Sequence, residues 1–191
     1  MKKLIGKKTL WIIFVGIIVL IGVSYAWLTV TLTGTKDVVI RSGNLSLNLD
    51  ETSKDGINLN NTYPMTDQEG MKTTSYDFTL KNTGTISSNY VVSIEDVTEN
   101  EKKLNANVLK YDLKKTVYSK DGIEKNNQTD TMQLLSSIKT DDGIIVDSGL
   151  LEEGEYITYE LRVWIDYDAG NEYQESSFNG VLKIDGTQVI E

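Results

Sequence analysis

The sequence contains neither cysteine nor histidine, and it has a single proline. Disulfide bonds are therefore excluded, and so are the thiolate and imidazole ligands that zinc sites normally use. The histidine pair of a zinc protease is absent, a serine nucleophile would lack its usual base, and no serine–lysine motif is recognisable. We expect that the chain is not an enzyme and needs no cofactor. Carboxylates and amides remain as metal ligands, and these suit calcium.

Basic side chains are scarce, with 19 Lys and Arg against 28 Asp and Glu and a net charge of −9. Four of the lysines lie at the very start of the chain, at Lys2, Lys3, Lys7 and Lys8. Without them the remainder carries 15 basic and 28 acidic side chains, a net charge of −13. Nucleic acids and anionic lipids require a positive surface, so we expect no nucleic-acid partner.

No charged residue interrupts the stretch 9–35. A basic start, an apolar run from Leu10 to Val23 and small residues at Ser24 and Ala26 have the order of a secretory signal peptide. The small residues lie three and one positions before the bond that a signal peptidase would cut. We therefore expect cleavage after Ala26, which leaves Trp27 as the new N-terminus.

The alternative is that residues 1–26 stay attached as a membrane anchor, because the apolar stretch 10–28 is long enough to cross a bilayer. In that case the membrane is a partner through the N-terminal helix. In both cases the rest of the chain lies outside the membrane, either extracellular or at the cell surface. Residues 27–37 then form an N-terminal strand and linker, and residues 38–191 form the folded domain.

Apolar residues in that domain recur with a period of two, which is typical of strands with one buried face. Turn signals such as Asn82-Thr83-Gly84 and Asp185-Gly186 separate the strands. This pattern predicts an all-β, jelly-roll-like antiparallel sandwich after the apolar helix. Residues 126–140 are too polar for a core strand, so we expect a loop there with a short helix at Met132–Ile138. The predicted core includes Leu47, Phe78, Leu80, Val92, Leu161, Val163 and Leu182.

Three segments resemble the TasA/camelysin family of Gram-positive bacteria: residues 24–29 (SYAWLT), residues 42–45 (SGNL) and residues 76–84 (YDFTLKNTG). A later pair, residues 151–155 and 159–164, is similar to that family's pattern of strands closing a jelly roll. The resemblance implies export through a signal peptidase of the SipW type and an extracellular β-sandwich. It also implies a role in the bacterial surface or biofilm matrix, because TasA itself forms matrix fibres. Some camelysins are described as metalloproteases, but the missing histidines argue against that activity here.

The segment after the expected cleavage site has the pattern of a strand with one apolar face. Leu28, Val30 and Leu32 alternate with threonines. Such a strand can pair with an exposed sheet edge of another copy, as the TasA resemblance suggests for fibre growth by donor-strand pairing. The alternatives are that it folds back as the first strand of its own sandwich or, if the leader is not cleaved, continues the membrane helix. We therefore expect a self-associating structural protein, or else a membrane-tethered, adhesin-like binding module.

A possible ligand site follows the strand that ends at Ile165. Asp166, Asp168, Asn171 and Glu172 place four oxygen-bearing side chains in seven residues around a glycine, which is a composition suited to calcium. The alternative is a polar turn without a ligand. Next to it, Trp164 and Tyr167 could offer an aromatic surface for carbohydrate. The alternative for Trp164 is that its ring covers a neighbouring loop.

Overall fold

The computed structural model describes residues 29–33, 38–42, 45–52, 56–60, 62–99, 102–141, 143–173 and 175–189. The expected cleavage site at Ser24, Ala26 and Trp27 lies outside the described residues, as does Leu28. The apolar N-terminal helix that we expect also lies outside them. Among the described residues, no helix has the length and apolar character needed to cross a membrane.

The described residues form two six-stranded sheets, in which all paired strands are antiparallel. The first sheet has the order β1-β12-β6-β10-β9, and β4 adds to β12 beside β1. Its strands are β1 (Thr29–Thr33), β4 (Ile57–Leu59), β6 (Ser88–Asp96), β9 (Lys139–Thr140), β10 (Gly143–Leu151) and β12 (Phe178–Gln188). The second sheet has the order β2-β3-β5-β11-β7-β8. Its strands are β2 (Val38–Ser42), β3 (Leu45–Glu51), β5 (Tyr76–Asn82), β7 (Leu109–Tyr118), β8 (Glu124–Leu134) and β11 (Tyr156–Ile165).

Short helical turns occupy three of the connections. They are α1 (Asp67–Gly70) and two 3-10 helices, Leu135–Ile138 and Asn171–Tyr173. Two isolated parallel bridges, Met65 with Asp166 and Lys103 with Ser177, fasten the long connections to the sheets. These connections cross between the sheets, so their backbone groups find partners outside the regular ladders.

The predicted antiparallel β-sandwich is confirmed, and its core lies between the two sheets. All seven predicted core residues are buried, with exposures from 0% to 8%. The ring of Phe78 stacks on that of Tyr159, with centroids 4.4 Å apart. The predicted core residues of one strand, such as Phe78 with Leu80 and Leu161 with Val163, are two positions apart, because successive residues of a strand point to opposite faces of the sheet.

Two sequence-based predictions are wrong. Residues 126–140 do not form a loop, because most of them belong to the edge strand β8, whose one partner among the described strands is β7. Its side chains are mostly exposed, so a polar composition is compatible with a strand that is held mainly by its backbone pairing with β7. The helix expected at Met132–Ile138 is only the 3-10 turn Leu135–Ile138. Asp185-Gly186 is not a turn either, since both residues lie inside β12 opposite Val91 and Tyr90.

Candidate functional site

The strand predicted for assembly, β1, lies at the edge of the first sheet and pairs with β12 of its own chain. Val30 and Leu32 are opposite Gly186 and Ile184, which are both buried. The ladder that β1 makes is therefore within its own chain, as the fold-back alternative required. Only one side of this five-residue strand is paired with another described strand.

The edge of β12 that receives β1 is shared with β4. Residues Lys183–Thr187 pair with β1, and residues Phe178–Gly180 pair with the three residues of β4. The opposite edge of β12 pairs with β6 over nine positions. One side of β12 is thus held by a long ladder, whereas the other is covered by two short strands. A short ladder is the easier one to exchange.

The residues of the predicted calcium site have separate surroundings. Asp166 lies 3.2 Å from the Lys110 ammonium group, which is also 2.9 Å from Asp67. Asp168 and Glu172 are exposed, and Asn171 lies in the second 3-10 helix. Among the described residues, no group of three or more acidic side chains is arranged to hold a metal ion. Calcium binding at these residues stays a prediction.

Trp164 does not contribute to an aromatic surface, because it is 1% exposed. The helical turn α1 lies against its ring: a Cβ atom added at Gly70 would be 2.3 Å from Cδ2 of Trp164. Only glycine permits this close approach. Trp164 therefore covers a neighbouring loop, which is the second of the two alternatives. Tyr167 remains 66% exposed.

A polar cluster that the sequence did not predict joins the two sheets. Asp147 of β10 accepts hydrogen bonds from the hydroxyls of Tyr90 and Tyr159 at 2.9 and 2.6 Å. The Lys115 ammonium group of β7 lies 2.8 Å from Asp147 and donates to the Tyr90 hydroxyl at 2.9 Å. Lys115 and Asp147 are each less than one-fifth exposed. We call these four residues the inter-sheet cluster.

The electrostatics of the inter-sheet cluster follow from its burial. Burial raises the pKa of Tyr159, and the nearby Asp147 carboxylate raises it further. Burial alone would lower the pKa of Lys115, but its hydrogen bonds to Asp147 and Tyr90 outweigh that effect and raise it. Lys115 therefore stays charged and both tyrosines stay neutral at physiological pH. The arrangement joins the two sheets through an ion pair and two neutral hydroxyl groups.

A β-bulge explains why Asp147 reaches the cluster. The pairing of β10 with β6 slips by one residue between Ile145 and Asp147. Bulges of this kind redirect the side chains that follow them. Strand alternation places Lys115 on the inner face with Leu113 and Val117, which is a visible signal in the sequence, but nothing local marks the bulge.

The predicted turn Asn82-Thr83-Gly84 is confirmed, and Asn82 is fully buried. Its side-chain amide donates to the carbonyls of Ile86 and Leu151 at 2.8 and 3.0 Å. Its side-chain oxygen accepts from the Gly84 amide at 2.9 Å. One side chain thus holds its own turn and the end of β10.

Comparison with known proteins gives no family. No family model matches the sequence, and no curated protein matches it. Solved structures that match include chains of infectious bursal disease virus, strains Gx and Gt, at 9% and 7% identity with TM-scores of 0.30 and 0.25. These matches cover 84% and 85% of this chain but only 32% and 38% of the viral chains. The chain thus spans about a third of their length, and likeness at this level indicates no function.

Proposed function

We propose that the chain is an exported structural protein of the bacterial cell surface or biofilm matrix that assembles through its N-terminal strand. The secretory pattern of residues 1–26 and the resemblance to TasA/camelysin proteins support export, and the same resemblance favours a jelly-roll connection of the sandwich. The observation that carries assembly is the position of β1, a five-residue edge strand that pairs, among the described strands, with β12 alone.

Exchange of β1 between copies replaces one set of contacts with an identical set. The strand from a second copy would occupy the same register against Lys183–Thr187, so the backbone hydrogen bonds and buried surface would be unchanged. Domain swapping of this kind joins protomers with little loss of stability. Because each copy would give one strand and receive another, a non-closing arrangement of swaps would extend into a fibre.

Engineered cysteines test the exchange directly, because the native chain has none. Thr29 and Thr187 are opposite each other in the β1–β12 ladder. We expect that Thr29→Cys with Thr187→Cys, oxidised after assembly, gives covalent multimers on a non-reducing gel. Oxidation before assembly should close the pair within each chain and prevent polymerisation until a reductant is added.

Thr79→Cys with Thr158→Cys is the matched control, since these threonines are opposite each other in β5 and β11. This pair lies away from β1, so its oxidation should leave polymerisation unchanged and give covalent monomers only. Assembled material in which the Thr29–Thr187 pair yields only covalent monomers would contradict strand exchange. Normal polymerisation of a chain in which the disulfide between the two cysteines introduced by Thr29→Cys and Thr187→Cys has formed beforehand would also contradict it.

A further inference from the structure

A polar cleft of about 550 Å³ lies at the end of the first sheet, where β6 finishes and β12 begins. Its walls come from three separate segments: the end of β4 at Asn60, the residues after β6, and the residues that lead into β12. The volume is within the range of small-molecule sites. Its lining includes Val97, Glu99, Ser176, Ser177 and Asn179.

Backbone hydrogen bonds hold the walls of this cleft in place. The Val97 amide donates to the Asn179 carbonyl at 2.8 Å, and the Asn179 amide donates to the Thr98 hydroxyl, also at 2.8 Å. On the other side, the Ser177 amide donates to the Lys102 carbonyl at 3.0 Å. These bonds fix Val97, Ser177 and Asn179 in the walls of the cleft.

Two serine hydroxyl groups in the lining retain contact with solvent. Ser176 and Ser177 are 7% and 5% exposed, and both line the cleft. Within the described part of the chain, neither hydroxyl makes a hydrogen bond, although the backbone of both residues is bound. Because these hydroxyls are open to the cleft and have no protein partner, they are available to bind a polar molecule there.

The charge of the cleft restricts that molecule. Glu175, at its rim, is paired with Lys102 at 2.9 Å, whereas Glu99 takes part in no ion pair among the described residues. The cleft therefore carries a carboxylate that repels anions and accepts hydrogen bonds from hydroxyls or amines. The side-chain amides of Asn60 and Asn179 can both donate and accept. Val97, which is 42% exposed, adds a small apolar contact.

We infer that this cleft binds a short saccharide without negative charge, through the hydroxyls of Ser176 and Ser177, the amides of Asn60 and Asn179, and the Glu99 carboxylate. A saccharide has the many hydroxyl groups that such a set of donors and acceptors can satisfy. This site is independent of strand exchange, since its lining does not include β1.

Saturation-transfer NMR on the full chain in a zwitterionic detergent tests the inference with three probes. We expect cellobiose and the disaccharide of chitosan to bind in the millimolar range, and glucuronic acid not to bind at the same concentration. Amide chemical shifts should move at residues 97–99 and 175–179. The double change Ser176→Ala and Ser177→Ala should weaken binding about five- to tenfold, as expected for the loss of two hydrogen bonds.

Ser88→Ala is the matched control, because Ser88 is fully buried, its hydroxyl also lacks a partner, and it lies at the opposite end of β6. It should leave binding unchanged. The inference is overturned if neither cellobiose nor the chitosan disaccharide binds the unaltered chain, or if glucuronic acid binds equally well. It is also overturned if a folded double variant keeps full affinity, or if the shifts of the unaltered chain move elsewhere.

Discussion

Lys115 and Asp147 meet between the two sheets, with the lysine Nζ 2.8 Å from the aspartate Oδ2. They come from strands β7 and β10, which belong to different sheets. Two tyrosines, one from each sheet, donate hydrogen bonds to the same carboxylate. The pair is therefore a polar connection between the two sheets, set among apolar core residues. Because the polar groups are satisfied only when the two sheets are correctly aligned, the connection also specifies that alignment.

Removal of one partner from this pair should be strongly destabilising. Lys115→Met leaves the Asp147 carboxylate without its counter-ion, and we expect a loss of about 2–4 kcal/mol, a little less than for a fully buried pair. The double change Lys115→Met with Asp147→Leu should recover part of that loss, because no uncompensated charge remains. Urea unfolding followed by circular dichroism gives the free energy of unfolding of the native chain, the single variant and the double variant.

Lys114→Met is the control for the Lys115 prediction. Lys114 is the neighbouring residue, but its ion pair with Glu160 is far more exposed than the Lys115–Asp147 pair, so its removal should change stability little. Equal losses for the two lysine variants would show that the inter-sheet cluster contributes no more than a surface pair.

Substitution of Asn82 should destabilise the fold about as much as substitution in the inter-sheet cluster, for a different reason. Asn82→Asp keeps the shape of the side chain but turns its amide donor into an acceptor that faces the carbonyls of Ile86 and Leu151. We expect a loss of about 2–3 kcal/mol from two broken hydrogen bonds and the buried charge. Asn58→Asp, on the exposed side of β4, is the control. Equal melting temperatures for Asn82→Asp and Asn58→Asp would contradict this role of Asn82.

The stability of the chain should fall in acid because of Glu155. Burial alone would raise the pKa of this carboxyl group, but the ammonium group of Lys125 and the backbone amide of Glu152 bind the charged form and lower it. A lowered pKa means that the folded chain holds a proton less readily than the unfolded chain. Its stabilisation is therefore complete above the ordinary pKa of 4.5 and is lost as the pH falls further.

Glu155→Gln tests this dependence on pH. The variant should be less stable than the native chain at pH 7, and the difference should shrink as the pH decreases below about 4.5. Glu153→Gln, an exposed residue of the same turn, should leave the dependence unchanged. If the difference in free energy of unfolding between the native chain and the variant is constant from pH 7 to pH 3, Glu155 does not contribute in this way.

Phe78 provides the simplest test of the core. Phe78→Ala removes a ring that is 2% exposed and stacked on Tyr159, and we expect a loss of about 3–5 kcal/mol. Phe78→Leu fills most of the space and should be clearly less destabilising. Urea denaturation of the two variants gives the comparison, and a similar small effect for both would mean that the ring is not part of the core.

The sequence predicts this core because alternation is local: Phe78 and Leu80, or Leu161 and Val163, need only their own strand to be recognised. What it could not predict depends on neighbours far along the chain. β8 is a strand because β7 binds its backbone, Trp164 is buried because Gly70 lies on its ring, and Asp147 faces inward because β10 slips against β6. The cleft beside β12 likewise joins three segments that are distant in sequence.

The N-terminus of the mature protein distinguishes between the two proposals, a structural protein and a membrane-tethered module. If a signal peptidase cuts after Ala26, mass spectrometry of the protein recovered from an exporting cell should find Trp27 as the first residue. Ala26→Asp should block the cut, because a charged side chain does not fit the small pocket that selects this position. The control is Ala106→Asp, which changes an alanine far from the junction and should leave the cut intact. A mature, cell-bound chain that keeps its lysine-rich start would favour the tethered module, because an uncleaved leader holds β1 beside the membrane and prevents its exchange between copies.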